Sequence, residues 1–283
     1  MALAAYTIWG LLPLYLQLVK HVPPFELVGW RILFTLPLCL IIVALRRQGG
    51  ELRRALATRR VILSLLLSSL LIGANWLIFL VAIAEDHVLA TSLGYYINPL
   101  VTVFLGTALL GEQLSRRQWL SVAIAGAGIL LLLGGALDTL AISLSLALSF
   151  AFYGLVRKRA EVGAVPGLTI ETAVLAPGAV VLAAWYAAQP GGTIMATGWP
   201  TVLAIAGSGV VTAVPLLMFA VAARRLDFAT LGFIQFLSPT ITFIVTLTLL
   251  DEPLDPLRLA CFIMIWAAIA LFSYDLWQRR KGA

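Results

Sequence analysis

The sequence predicts an all-α integral membrane protein whose ten transmembrane helices form two inverted five-helix repeats. Hydrophobic residues make up 61% of the chain, charged residues 11%, and the mean hydropathy is +1.02, whereas soluble domains carry about 25% charged residues. Many uncharged apolar stretches reach about 18 residues, enough to cross ~30 Å of hydrocarbon as a helix. The chain also repeats itself internally, which indicates a duplicated architecture.

Ten apolar segments are the predicted spans: 2–19, 25–45, 61–84, 88–110, 117–134, 139–156, 168–188, 199–223, 228–250 and 257–274. They are apolar all round and do not alternate with period two, which argues against a β-barrel. The first segment begins at residue 2 with no basic region before it and no clear cleavage site, so we expect a span and not a removed signal peptide. The short connections leave no room for a soluble domain.

The basic residues predict the orientation. Of the 19 Lys and Arg residues, those in 46–60, 116–117, 157–159, 224–225 and 279–281 all fall on one side if the N-terminus is cytoplasmic. Cytoplasmic loops are enriched in Lys and Arg, so both termini are predicted to be cytoplasmic. The net charge of +6 is therefore a topology signal, which also suits contact with anionic lipids. It does not indicate a nucleic-acid partner.

The two halves align at an offset of about 140 residues. Asn98-Pro99 falls on Ser238-Pro239, and Glu112 falls on Glu252. Five spans per half is an odd number, so the halves must insert in opposite senses, with repeats at 1–137 and 138–283. Inverted repeats are a transporter architecture whose site lies near the midplane between them. A membrane scaffold or a membrane-embedded enzyme grown by duplication is the alternative.

Polar residues form matching stripes on spans four and nine. On span four they are Ser92, Tyr95, Asn98 and Thr102, and the aligned positions on span nine are Gly232, Gln235, Ser238 and Thr242. Each set lies within an arc of about 120° at helical spacing. Lipid offers such groups no partners, so we expect the stripes to face protein or a water-filled cavity. Hydrogen bonds between helices would explain each residue singly.

Prolines interrupt the same spans. Pro99 and Pro239 cannot donate to the carbonyls of Tyr95 and Gln235, and each ring disfavours a straight helix. Pro215 lies similarly within span eight. We therefore predict these three prolines to act as gating hinges.

Further binding candidates lie in spans two and three. Asn75, Trp76 and Phe79 could provide a hydrogen-bonding group and two apolar walls. Arg31 could bind a substrate carboxylate through charge-assisted hydrogen bonds, although snorkelling or pairing with an acid would also explain it.

Three acids are candidates for ion coupling: Glu26, Glu171 and Glu85. Glu26 and Glu171 are predicted in the first turns of spans two and seven, where the helix dipole favours negative charge. That local stabilisation is the simpler explanation for both.

Catalytic, metal and cofactor chemistry have no support in the sequence. Cys39 and Cys261 each lie inside an apolar span, and no cluster has metal-ligand spacing. No nucleotide-binding glycine loop follows a strand, and no nucleophile or acid–base set is evident. We therefore expect no enzyme activity, no cofactor and no metal. Small residues such as Ala127 and Gly128 allow close helix packing and leave dimerisation open.

Several motifs together resemble one known family. They are ANWLIF (74–79), SLGYYINPL (92–100), GEQL (111–114), SFAFYGLVRKR (149–159), ETAVLAP (171–177), AVPLL (213–217) and TLGFIQFLSPT (230–240). They resemble the RarD subgroup of the EamA transporters, in the drug/metabolite transporter superfamily. The resemblance implies a ten-helix bacterial inner-membrane permease with a cavity lined by spans 1, 3, 4, 6, 8 and 9. Relatives export amino acids, other small metabolites or drugs, and the RarD name is associated with chloramphenicol sensitivity.

Two features depart from the subgroup's pattern. Trp30 stands where the subgroup commonly has His before the Arg, which weakens any titrating role at that position. The cytoplasmic N-terminal tail is almost absent, so we expect a shortened start.

The sequence thus predicts a secondary transporter of a small organic solute, an amino acid or related metabolite. Its predicted binding residues are Asn75, Trp76, Phe79, Tyr95, Asn98, Gln235 and Arg31. The alternatives are a drug or antibiotic permease of the same fold, or a membrane scaffold or sensor without transport.

Overall fold

The computed structural model describes residues 1–85, 87–133, 140–249 and 254–281, without the side chains of residues 88, 89, 133 and 280. All regular structure in these ranges is helical. The α-helices are α1 (Ala2–Gly10), α2 (Leu12–Leu18), α3 (Pro24–Leu45), α4 (Gly49–Ala57), α5 (Arg59–Ala84), α6 (Val88–Leu110), α7 (Arg116–Leu133), α8 (Leu140–Arg159), α9 (Ala164–Ala187), α10 (Trp199–Arg225), α11 (Phe228–Gln235), α12 (Leu237–Leu249) and α13 (Pro256–Lys281). A 3₁₀ turn spans Ile194–Ala196.

Eight helical segments of the described ranges are long and apolar enough to cross a membrane: Pro24–Leu45, Arg59–Ala84, Ala90–Leu110, Leu140–Arg159, Ala164–Ala187, Trp199–Arg225, Phe228–Leu249 and Pro256–Arg279. The protein is therefore an all-helical, multi-pass membrane protein. The first and fifth predicted spans are not among the eight. The repeat boundary predicted at 137/138 lies outside the described residues, as does Glu252.

The first predicted span is divided at Leu11, between α1 and α2. Pro13 explains the break, because it cannot donate to the carbonyl of Trp9 and its ring crowds that turn. Gly10 allows the broken segment to approach α12 closely. A Cβ at Gly10 would lie 2.6 Å from Ile241 Cβ and 2.9 Å from Ser238 O.

The ninth predicted span is divided too, at Phe236 between α11 and α12. Pro239 follows three residues later and cannot donate to Gln235 O, which accounts for the discontinuity. Pro99 and Pro215 differ, since they lie inside the continuous helices α6 and α10. Of the three prolines predicted as hinges, Pro239 therefore lies next to an interrupted helix.

The helix α4 was not predicted and lies in the basic loop 46–60. Its sequence GGELRRALA is amphipathic, because Leu52 and Ala55 lie on one face at helical spacing while Arg53 and Arg54 lie elsewhere. The apolar face packs against Val61 and other residues of a small core cluster.

Polar contacts close one end of the helix bundle, which we call the basic end and define by residues 46–60, 109–117, 157–163 and 223–229. Glu112 accepts hydrogen bonds from Phe228 N at 2.6 Å and Ala229 N at 2.8 Å. Lys158 Nζ donates to Leu226 O at 2.5 Å. Further bonds join Arg159 to Leu109 O, Arg224 to Val162 O and Glu51 to Gly163 N. These bonds tie loops and helix ends from both halves of the chain together.

Two expectations at this end are wrong. Arg157 was expected to follow span six in a loop, but α8 extends to Arg159 and Arg157 is 1% exposed. Glu171 was expected in the first helical turn, but α9 begins at Ala164 and Glu171 is its eighth residue. The helix can begin this early because Pro166 occupies its first turn, where a proline N–H is not needed.

Candidate functional site

A small cavity lies between α1, α2, α3 and α10. Its lining includes Trp9, Tyr15, Arg31, Ser208 and Thr212, and its volume is about 20 Å³. That volume holds about one water molecule. The structure is therefore closed around this point, and a larger ligand could enter only if helices move.

Arg31 is the cationic group of this cavity. Its guanidinium carbon lies 4.8 Å from the centroid of the Trp76 ring, a distance at which a cation is attracted to the face of an indole. Arg31 Nε is buried and, among the described residues, has no hydrogen-bond partner. Two of the predicted binding residues, Arg31 and Trp76, thus come together, with a donor free for an anionic group.

The hydroxyl groups of the cavity are already used within the protein. Tyr15 OH donates to Ala204 O at 2.5 Å, Ser208 Oγ to Ile205 O at 2.5 Å and Thr212 Oγ1 to Ser208 O at 2.7 Å. These bonds leave the hydroxyl oxygens as acceptors. Arg31 therefore differs from them as the group with a spare donor.

The two predicted asparagines bind α8. Asn75 Nδ2 donates to Leu146 O and to Ser149 Oγ, each at 2.9 Å. Asn98 Nδ2 donates to Ala147 O at 2.7 Å. Both side chains are buried, so their amides join α5 and α6 to α8 in the closed structure.

Phe79 and Tyr95 form an aromatic pair, with ring centroids 6.2 Å apart, and Tyr95 lies close enough to Arg31 to interact with its charge. Tyr95 is 52% exposed, whereas Asn98 one turn later is 5% exposed. The predicted stripe on α6 thus reaches from an exposed face to the helix interface.

Gln235 ends α11 beside the helix interruption. It is 5% exposed, and in the described part of the chain its Oε1 has no hydrogen-bond partner. The phenol of Tyr6 lies close to it in the central core that also contains Phe219. Gln235 is therefore a buried amide with hydrogen-bonding capacity left over.

The three candidate acids have different surroundings. Glu26 Oε1 accepts from Thr193 Oγ1 at 2.6 Å, from Ile194 N at 3.0 Å and from Trp30 Nε1 at 3.3 Å. Glu85 is exposed and lies 3.9 Å from His87. Glu171 is buried 3.5 Å from Arg157. The indole N–H of Trp30, the residue that departs from the subgroup's His, is thus one of the donors to Glu26.

Comparison with known proteins places this arrangement in a family. The EamA-like transporter family matches residues 1–134. Protein RarD of Salmonella typhimurium is 40% identical over 282 residues, covering 99% of this chain and 96% of that protein. An uncharacterized transporter of Pseudomonas aeruginosa is also 40% identical, covering 98% and 93%. The chain belongs to the EamA-like transporter family.

Membership of the EamA-like family places the protein with transporters and not with enzymes. A more distant relative, the chloramphenicol-sensitive protein RarD of Pseudomonas aeruginosa, is 27% identical and covers 97% of this chain and 93% of its own. A solved crystal structure shares the fold with a TM-score of 0.74 at 19% identity, covering 96% of this chain and 95% of that one.

Sequence reasoning missed three side chains of this EamA-like protein. Tyr15 lines the cavity, Tyr6 lies beside Gln235, and Arg157 pairs with Glu171. Tyr15 follows Pro13 in a broken span, which is a usable signal because irregular membrane helices often line cavities. Arg157 was hidden by its neighbours Lys158 and Arg159, which make the segment resemble an ordinary basic loop.

Proposed function

We propose that this EamA-like protein is a secondary transporter of a small organic solute, an amino acid or related metabolite. Two inverted five-helix repeats, residues 1–137 and 138–283, would alternate access to a site between them. In this proposal α1 with α2 forms the first of ten spans, α7 the fifth, and α11 with α12 the ninth.

The packing of the helices supports the inverted repeat. Exchanging the two halves maps three packed helix pairs onto three others: α6–α8 onto α1–α12, α5–α8 onto α1–α10, and α3–α10 onto α5–α9. Three further packed pairs map onto themselves: α3–α9, α6–α11 and α7–α13. A two-fold relation between the repeats predicts such a pattern. Packing without symmetry would not be expected to produce it.

The observation that carries the solute assignment is Arg31 in its cavity. Its spare Nε–H and its position over Trp76 suit a carboxylate, because guanidinium–carboxylate bonds are charge-assisted and directional. The aromatic side chains Trp9 and Tyr15 provide an apolar wall. A zwitterion or a monocarboxylate with an apolar body fits this combination better than a multiply charged anion.

The orientation follows from the basic end, which positive-inside bias assigns to the cytoplasm. A bacterial inner membrane with both termini cytoplasmic is part of this proposal. In this orientation the cavity at Arg31 lies towards the outer half of the bundle, and the side closed by Glu112 and Lys158 is the cytoplasmic one.

A binding experiment tests this assignment. Purified protein is screened by thermal shift against amino acids and small carboxylic acids, since a ligand present at 100 times its Kd stabilises the folded state by about 2.7 kcal/mol. We expect a stabilising ligand for wild type and its loss in Arg31→Ala. Arg60→Ala is the matched control, because its side chain is 86% exposed. Unchanged stabilisation in Arg31→Ala would overturn the site.

A drug or antibiotic permease is the second candidate. It is favoured by the similarity to the chloramphenicol-sensitive protein RarD of Pseudomonas aeruginosa. Stabilisation by chloramphenicol and by no amino acid or carboxylic acid would select it. A scaffold or sensor without transport would bind without moving any solute.

A further inference from the structure

A buried ion pair joins α8 to α9 near the basic end. Arg157 Nε lies 3.5 Å from Glu171 Oε1, and the side chains are 1% and 2% exposed. Burying two charges is costly unless good geometry and further hydrogen bonds compensate for the lost water. The stability of this pair therefore depends on how many further hydrogen bonds its buried polar atoms make.

The pair is incompletely satisfied. Ser68 Oγ donates to Glu171 Oε1 at 2.5 Å, and Arg157 Nη2 donates to Ala164 O at 3.4 Å. Within the ranges that the structure describes, Glu171 Oε2 and both Nε and Nη1 of Arg157 have no hydrogen-bond partner. The Tyr153 hydroxyl also lies close to this carboxyl group, and Oε2 is the oxygen left to bind a proton.

The neighbouring elements define what else can influence this carboxyl group. The groups that interact with it directly are Arg157 and Tyr153 of α8, Ser68 of α5 and Cys39 of α3. Two further charged side chains bind the backbone just before α9 begins: Glu51 of α4 accepts from Gly163 N, and Arg224 of α10 donates to Val162 O. Arg157 is the cation nearest to it. Of the charged groups around Glu171, Arg157 is therefore the one that most affects its charge state, in addition to the effect of burial itself.

Glu26 provides an internal comparison, since it lies on α3, the helix that takes the place of α9 when the two halves are exchanged. It accepts three hydrogen bonds from Trp30, Thr193 and Ile194, so its carboxylate is held by neutral donors. Glu85 is a surface residue with a 62% exposed side chain. Among the three candidate acids, Glu171 is the one whose ionisation holds two helices together.

We propose that Glu171 binds the proton that couples solute movement, with Arg157 as its counter-ion; this inference rests on the proposed transport function. When Glu171 is ionised, the pair ties α8 to α9 and keeps the basic end closed. A proton on Oε2 removes the negative charge and leaves a buried guanidinium without a counter-ion. That state favours separation of the helices until Arg157 reaches water, which opens the cytoplasmic side.

The cycle follows from these two states. Opening to the cytoplasm requires a proton on Glu171, and closing again requires its release there. In the proposed cycle the proton reaches Glu171 from the outer side and is released to the cytoplasm, and solute loaded in the cytoplasm leaves in the opposite direction. The pair makes the protein a proton-driven exporter.

Two native thiols allow a test of the gate without knowledge of the solute. Cys39 lies in the central core with Tyr153 and Leu168, and Cys261 lies in a second core between α7 and α13; both are fully buried. In full-length protein in lipid nanodiscs at pH 7, N-ethylmaleimide labelling of each cysteine is followed by peptide mass spectrometry. Glu171→Gln, a mimic of the protonated state, should raise the Cys39 rate at least about tenfold and leave Cys261 unchanged. Because the charge of Glu171 also acts directly on the Cys39 thiol, the double variant Glu171→Gln/Arg157→Met is the control. It has no unpaired guanidinium and should return to the wild-type Cys39 rate, whereas a rate as high as that of Glu171→Gln would overturn the gate.

The control is Glu161→Gln, which removes a carboxylate at the same end whose side chain is 74% exposed; it should label like wild type. Equal Cys39 rates in wild type and Glu171→Gln would overturn the proposal. If Glu171→Gln does not fold, a measurement on the wild-type protein still tests the proposal. Hydrogen–deuterium exchange of the wild-type backbone amides around Glu171, corrected for the intrinsic effect of pH on amide exchange, should increase as pH falls from 8 to 5.5, while exchange around Cys261 stays constant. Equal protection of the Glu171 segment at both pH values would refute a proton-operated gate.

A flux experiment separates this inference from the function on which it rests. In liposomes loaded with labelled amino acids, wild-type flux that responds to a pH gradient and becomes insensitive in Glu171→Gln supports proton coupling. Wild-type flux that ignores the gradient refutes the coupling and leaves the transporter intact. No wild-type flux of any amino acid or carboxylic acid refutes the solute assignment, while the thiol labelling continues to report on the gate.

Discussion

Replacing Glu112 by Ala should destabilise the protein by about 2–3 kcal/mol. Its two carboxylate oxygens accept separate backbone N–H groups, Phe228 N at 2.6 Å and Ala229 N at 2.8 Å, at the start of α11. These N–H groups have no partner within the helix. Loss of a capping acceptor costs about 0.5–2 kcal/mol, and hydrogen bonds to charged groups contribute about 1.5–3 kcal/mol, with the helix dipole adding to the attraction.

The space for this carboxylate is provided by Gly106. A Cβ there would lie 2.7 Å from Glu112 Oε2 and 3.1 Å from Ala229 N. Gly106→Ala should therefore destabilise the protein in the same way as Glu112→Ala. The loss of stability in the double variant should be smaller than the sum of the two single losses, because both changes remove the same contact of the Glu112 carboxylate with α11.

Unfolding in mixed detergent micelles, followed by tryptophan fluorescence, measures these changes. The stability of Glu112→Gln should lie between those of wild type and Glu112→Ala. One oxygen of the amide can still accept a hydrogen bond, whereas the new NH₂ group faces a backbone N–H donor. Glu161→Ala is the control, as an exposed carboxylate at the same end. If Glu112→Ala and Glu161→Ala unfold at the same detergent fraction, the capping argument is wrong.

The remaining predictions concern the central polar groups. Asn98→Ala should lower stability by about 1 kcal/mol in the same unfolding assay, since a hydrogen bond within a membrane bundle contributes about 0.6–1.7 kcal/mol and this amide bonds to Ala147 O; stability equal to wild type would contradict the bond. Gln235→Ala should reduce solute flux, because its Oε1 has no partner among the described residues and is available to a solute; normal flux would remove it from the site. Gly167→Ala should be poorly tolerated, because its methyl group would overlap the Arg157 guanidinium; wild-type unfolding would mean that Arg157 can move aside at little cost.

The sequence was sufficient for most helix boundaries. Long apolar runs ended by Arg pairs predicted α5 and α10 within two residues, because hydrocarbon thickness and the cost of burying charge fix where a span can stop. Prolines were less informative. Pro13 and Pro239 accompany breaks, whereas α6 continues through Pro99. The difference depends on the neighbouring helices that satisfy the freed carbonyl, and local sequence does not contain that information.

Several residues of the candidate site were predicted, but the contacts between them depend on how the helices pack, which local sequence does not contain. Arg31 and Trp76 were both candidates, but their contact depends on how α3 packs against α5. Arg157 was taken for a loop residue because its partner Glu171 lies fourteen positions later on another helix. Pairing between distant positions determines which polar residue is buried with a partner and which is left with a spare hydrogen-bonding group.

Solute counterflow in liposomes tests whether the protein carries its solute by alternating access. Vesicles that contain wild-type protein and a high internal concentration of the ligand found by thermal shift are diluted into a trace of the same labelled compound. We expect transient accumulation of label with wild-type protein and with Arg60→Ala, and none with Arg31→Ala. No accumulation by the wild type with any ligand that stabilises it would contradict transport by alternating access.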